Sequence, residues 1–152
     1  MIADLHGLNT RALDWVVQSG VWLLRSGGEV VGKVFQSVSG DPYIESANGR
    51  WFIRATPKGY AILDGESGQE VGCYVRQPLP VRGALRLPDA RTLWWTPRES
   101  GHAWLDEHKG AMMQFVKDPG GQGRLRLEQL DIVADPLFPL FLLLGVYLEA
   151  MA

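Results

Sequence analysis

The chain has 152 residues, 46% of them hydrophobic and 21% charged, with a formal net charge of -2 at pH 7. That length suits one domain with a core of its own, the balance excludes a disordered or fibrous chain, and the charge argues against nucleic acid as a partner. A single cysteine, Cys73, excludes an intramolecular disulfide and a cysteine-based metal cage.

The opening stretch, "MIADLHGLNTRALDWVV", carries an acid at Asp4 and lacks the basic region and apolar run of a signal peptide. The cytoplasm is therefore the expected compartment, and residues 1–12, with His6 beside Asp4, read as a mobile start. After a first strand around "WVVQS" the chain repeats one pattern three times. "VWLLRSGGEVVGKVF", "YAILDGESGQEVGCYV" and "AWLDEHKGAMMQFV" each read as apolar strand, polar turn, apolar strand. Gly28, Gly68 and Gly110 stand where such turns need a positive φ. Leu24, Leu63 and Leu105 occupy matching places before the turns. Between the hairpins lie further strand-like runs, "RWFIRAT", "RGALRLP", "TLWWTP" and "GRLRLEQL". In the last of these, Leu125 and Leu127 share one face while Arg124, Arg126 and Glu128 share the other. The turn spacing gives roughly ten to twelve strands in a single meander with no linker between domains.

The chain ends on "PLFPLFLLLGVYLEAMA", apolar all round and without charge between Asp135 and Glu149. A membrane-spanning helix needs about twenty apolar residues, and this segment lacks the basic flank of an interfacial helix. The pattern predicts a buried helix over 136–151, with Asp135 as N-cap and Pro136 at the first position, unless Pro139 shifts the start by a turn. Barrels of about eleven strands enclose a helix along their axis. The expected architecture is an all-β closed antiparallel barrel of about twelve strands around a hydrophobic C-terminal helix, residues 1–152 forming one domain.

Those three hairpins followed by "DPLFPLFLLLGVYLEAM" resemble the tubby C-terminal and phospholipid-scramblase-like superfamily, which includes the plant LURP-one-related proteins. The resemblance runs from about Val21 to the end. It implies a twelve-stranded barrel around a hydrophobic C-terminal helix, and a binding role toward anionic lipid headgroups or a protein partner. The cysteine-rich and proline-rich additions of the scramblases are missing here, as is an acidic calcium loop, so calcium-dependent lipid movement is not implied.

Function is less legible than fold. Residues 50–98 carry eight Lys or Arg against four acids, and "VRGALRLP" puts Arg82 and Arg86 on one strand face. Paired guanidinium groups suit a phosphate. Arg82, Arg86, Arg50 and Arg54 are thus the candidate anion or lipid site, against the plainer reading of a solvated outer wall. In "HAWLDEHKG" the residues His102, Asp106, Glu107 and His108 supply the ingredients of a metal or acid–base site. Residues 106–109 read better as turn chemistry, and no nucleophile elbow, phosphate loop or "HExxH" helix is present. Neither a catalytic residue nor a metal or cofactor is expected. Adjacent Trp94 and Trp95 must face opposite sides of their strand. The leading reading is a non-catalytic binding or scaffold module, cytoplasmic or peripheral to a membrane. The alternatives are a protein attached to a membrane by its inserted tail, and a hydrolase or metal enzyme around His102 and His108.

Overall fold

The computed structural model describes residues 2–36, 40–78 and 82–152. Twelve strands lie among them: β1 (Ala12–Gln18), β2 (Val21–Ser26), β3 (Glu29–Phe35), β4 (Tyr43–Ser46), β5 (Gly49–Thr56), β6 (Gly59–Asp64), β7 (Glu70–Gln77), β8 (Arg82–Arg86), β9 (Thr92–Arg98), β10 (Gly101–Leu105), β11 (Ala111–Lys117) and β12 (Gly123–Leu127). Each pairs antiparallel with its sequence neighbour, and β12 returns to β1 in the register Leu13↔Leu125, closing the barrel. Closure leaves no open sheet edge, the hazard that so many short strands would otherwise present.

The helix α1 (Phe138–Ala150) fills the barrel. All of its residues from Phe138 to Glu149 are buried, because a helix without a polar face has only the lumen in which to hide. Inward side chains meet it from around the wall. Trp104 donates its indole N–H to the Phe141 carbonyl at 2.9 Å, and Gly32 faces Leu143 with no room for a methyl group. The expected start of the helix moves. Leu137 is the N-cap, Pro139 lies in the first turn, and residues 130–134 form a separate 3-10 turn. Asp135 still serves the junction, its side chain accepting from the Leu137 N–H at 2.9 Å and from Arg91 at 2.6 Å.

Residues 2–12 do not form the loose start expected of residues 1–12, of which Met1 lies outside the described residues. Leu5 sits in a 3-10 turn with no exposed surface, Ala3 N–H donates to Val30 O, and the His6 ring lies 2.9 Å from Val133 O. This segment and the 130–134 turn close the barrel end where α1 begins. At the opposite rim the helix ends among the β6–β7–β9–β10 strand ends, and Lys117 Nζ donates to Ala152 O.

The three hairpins are real, and each carries a β-bulge just before its turn. The bulges change the expected equivalence. Leu24, Ile62 and Trp104, each fully buried, are the matching residues just before the bulges, whereas Leu63 is partly exposed and Leu105, though buried, follows the bulge. Gly28 and Gly68 have the expected positive φ of 86° and 73°, but in the third turn Lys109 takes that role at 62°. Gly110 is needed for closeness instead: its N–H donates to Asp106 Oδ1 at 2.9 Å, and an added Cβ would press on that carboxylate.

Candidate functional site

The four arginines expected to gather do not. Arg82 and Arg86 share the outer face of β8, yet four residues along a strand separate them by about 13 Å, so one phosphate cannot span both. Arg50 and Arg54 lie three strands away on β5, about 14 Å at the usual strand spacing. Arg54 is paired with Asp41 at 3.1 Å, and Arg50 lies over the rings of Tyr43 and Phe52 at 5.7 and 5.5 Å. Arg86 borders a shallow depression beside Glu70 and Cys73. Arg82 alone of the four meets other cationic and aromatic side chains in a cleft.

That cleft opens at the rim where α1 ends and has a volume of about 200 Å³. Tyr74, Arg76 and Gln77 come from β7, Arg82 and Gly83 from β8, Trp95 and Pro97 from β9, and His102 from β10. Gly83 allows close packing at its inner wall: a Cβ there would collide with the Tyr74 ring, which fills the space above it. Trp95 faces inward and Trp94 outward, as adjacent strand residues must. Outward Trp94 carries Arg82 on its face, 4.0 Å from guanidinium carbon to ring centre. Gln77 Oε1 accepts from Arg82 Nε at 3.0 Å. Arg76 is fixed similarly, donating to the Tyr60 hydroxyl at 2.9 Å and lying 5.0 Å over that ring. Both guanidinium groups are held by neutral partners. Neither has a carboxylate within ion-pairing distance among the described residues.

The inner wall of the cleft is aromatic. Trp95 and His102 stack with ring centres 5.2 Å apart and planes 4° from parallel. Behind His102, its Nδ1 lies 3.1 Å from Oε1 of Glu149, which is only 4% exposed. Glu149 sits in the last turn of α1, where the helix dipole disfavours an acid, so the His102 contact compensates both burial and position. Burial pushes the Tyr74 phenol up to about 12. Burial, reinforced by Tyr60, does the same to Tyr147. Both hydroxyls keep their protons, and hence their capacity to donate, at neutral pH.

The expected His102 and His108 site does not form. His102 is the second residue of β10 and His108 lies in the turn beyond its other end, so the strand's length separates them. Asp106 is consumed by that turn: it accepts from the His108 and Gly110 N–H groups and from Gln129. Burial pushes its carboxyl up, but these hydrogen bonds outweigh burial and hold it below the usual range. No group of three or more His, Cys, Asp or Glu side chains is placed to hold a metal among the described residues. The inserted-tail alternative meets a simpler obstacle: no described helix is long and apolar enough to cross a membrane, and α1 is enclosed by the wall. Sequence reading missed Arg76 and Trp95 as site residues and treated Glu149 as a mere flanking acid. The available signal was that Glu149 is the only charge in an otherwise apolar helix.

The fold and cleft together define a helix-filled antiparallel barrel with a small basic and aromatic recess at one rim. No protein-family model, curated protein or solved structure matches the chain.

Proposed function

We propose that the protein is a non-catalytic binding module that takes an anionic group, phosphate or carboxylate, at the rim cleft. The observation that carries this reading is the pair Arg76 and Arg82, both bordering one recess, both oriented by neutral neighbours and neither paired with an acid among the described residues. A guanidinium already fixed by stacking and one hydrogen bond has little rotamer freedom left to lose on binding. An incoming anion would add charge-assisted hydrogen bonds without displacing an existing ion pair. The volume favours a headgroup-sized ligand, since pockets for drug-sized molecules run from about 300 Å³ upward.

Membership of the tubby and scramblase-like superfamily belongs to the same proposal, as does a cytoplasmic or membrane-peripheral location. The barrel-and-helix architecture supports it, and fold alone chooses no ligand. The test is titration of the purified protein with inorganic phosphate, with cosedimentation on phosphatidylserine and phosphatidylcholine vesicles in parallel. Binding of phosphate or of the anionic vesicles, lost in Arg82→Gln, is expected. Absence of both, or binding indifferent to Arg82, would remove the reading.

A further inference from the structure

Given an anion at this cleft, one residue of the wall couples its binding to protons. We infer that His102 is a ligand-binding residue of the site and that the anion is taken up together with a proton on its imidazole, so that affinity rises as pH falls. This inference rests on the anion-binding reading above.

Strand register places His102 where it can do this. Arg76 pairs with Gly83, Gly83 with Trp95, and His102 with Pro97, two residues beyond Trp95. Trp95 is buried, so all of them belong to the inward face of the wall, at the rim where α1 ends. The two nitrogens of His102 are not equivalent. Nδ1 lies 3.1 Å from Oε1 of Glu149, and a buried carboxylate needs a donor, so Nδ1 carries the hydrogen. Nε2 has no hydrogen-bond partner among the described residues. No buried side-chain nitrogen or oxygen there lacks a partner, so solvent reaches Nε2. Since the 26% exposed side chain lines the cleft, Nε2 is the atom it offers to a ligand.

The sign follows from that atom. Unprotonated, Nε2 presents a lone pair and repels an anion. Protonated, it presents an N–H and a positive charge, and the hydrogen bond it donates is charge-assisted. The charged groups facing the ring are Glu149 of α1, in contact with it, and Arg76 of β7 and Arg82 of β8 across the cleft. From β9 and β11 come Trp95, Pro97 and Phe115, none of them charged. Lys117, further along β11, donates to Ala152 O, and the Tyr74 phenol keeps its proton. One acid is thus set against two guanidinium groups, and an anion entering the cleft adds the negative charge that favours the imidazolium. Histidine changes charge between about pH 5 and about pH 8, so the coupling falls in that range.

NMR of the imidazole signals of the three histidines through a pH titration tests this on the unmodified protein. His6 and His108 lie toward the other end of the barrel, and because both are exposed, His6→Gln and His108→Gln assign the signals. With saturating sulfate or inorganic phosphate, His102 should titrate about one pH unit higher than without, while His6 and His108 stay where they were. By linkage that shift equals about a tenfold gain in affinity, the size of one charge-assisted hydrogen bond. Calorimetric titration with sulfate, whose charge is constant over this range, should therefore find binding about tenfold tighter at about pH 5.5 than at about pH 8. His102→Gln, shown to be folded by its thermal melt, should remove the difference. Unchanged titration of His102 in the presence of the anion, or equal affinity at both pH values, with Arg82 still required, overturns the proton coupling and leaves the anion reading standing. A pH dependence that survives in His102→Gln does the same. No binding of either anion, or binding indifferent to Arg82→Gln, overturns both.

Discussion

Gly145 lies at the middle of α1, and its replacement by alanine tests whether the helix is held inside the wall. On an exposed helix the change stabilises by about 1 kcal/mol, because alanine is the better helix former. Inside this barrel the new methyl would stand 2.3 Å from Cζ of Phe115, with two further ring atoms at 2.7 and 2.8 Å. Ordinary contacts begin near 3.4 Å, so a shift of about 1 Å is demanded of a ring that has nowhere to go. Phe115 is fully buried, with Trp15 and Trp95 at 6.4 and 5.3 Å between centres. Overpacking of this kind destabilises by about 1–3 kcal/mol, occasionally more. The propensity gain offsets roughly 1 kcal/mol of that, leaving a net loss of up to about 2 kcal/mol. Urea unfolding followed by tryptophan fluorescence reads it directly as a lower midpoint at unchanged slope. Phe115→Leu should itself destabilise, yet in its background Gly145→Ala should cost less, because the shortened side chain leaves space for the methyl. A raised midpoint for Gly145→Ala alone would refute the reasoning, since it would mean that α1 does not feel the wall.

Three other outcomes follow from the same contacts. Amides from Leu140 to Leu148 should exchange as slowly as those of the most protected strands, and removal of Pro136–Ala152 should abolish cooperative unfolding; fast exchange of α1 in a folded barrel would contradict its burial. His102→Ala leaves the Glu149 carboxylate buried without its partner and should destabilise by about 1–3 kcal/mol, with Glu149→Gln added to it recovering part of the loss, both read from urea midpoints. Burial pushes the phenols of Tyr74 and Tyr147 up to about 12 in the barrel, against about 10 in an unfolded chain. The native state then holds more protons, so stability is fully present below pH 10 and falls as pH rises toward 12. Tyr74→Phe should flatten that decline in alkaline denaturation, and an unchanged slope would exclude the burial of this phenol.

Much of this fold was legible because strands and helices leave different periodicities. The alternation in "GRLRLEQL" and the absence of charge in the last segment identified a wall strand and the central helix. β4 escaped notice, since Tyr43–Ser46 is four residues long and includes Glu45. The matching of Leu24 with Leu63 and Leu105 slipped by one residue: the bulges follow Leu24, Ile62 and Trp104, and the turns beyond them differ in length, so spacing counted from the turn glycines does not reveal where each bulge falls. Leu5 and Leu8, three residues apart, were the faint sign of a 3-10 turn at the start. At the site, strand alternation puts Arg82 and Arg86 on one face, but four extended residues hold them about 13 Å apart. The cleft itself was out of reach. Its residues come from four strands, and its inner wall depends on the Tyr74 ring packing over Gly83.

The order of the chain also constrains how the molecule is made. Every wall strand precedes α1 in the sequence, and the seam between β1 and β12 joins residues 12–15 to residues 123–126. Ribosomal synthesis runs from the N-terminus, so the sheet emerges with two open edges and no filling. It cannot close before β12 has emerged, and it cannot fill before α1 has followed. During that interval the nascent sheet is a template for pairing with other chains, and a premature stop before Phe138 yields a sticky fragment in place of a smaller stable protein.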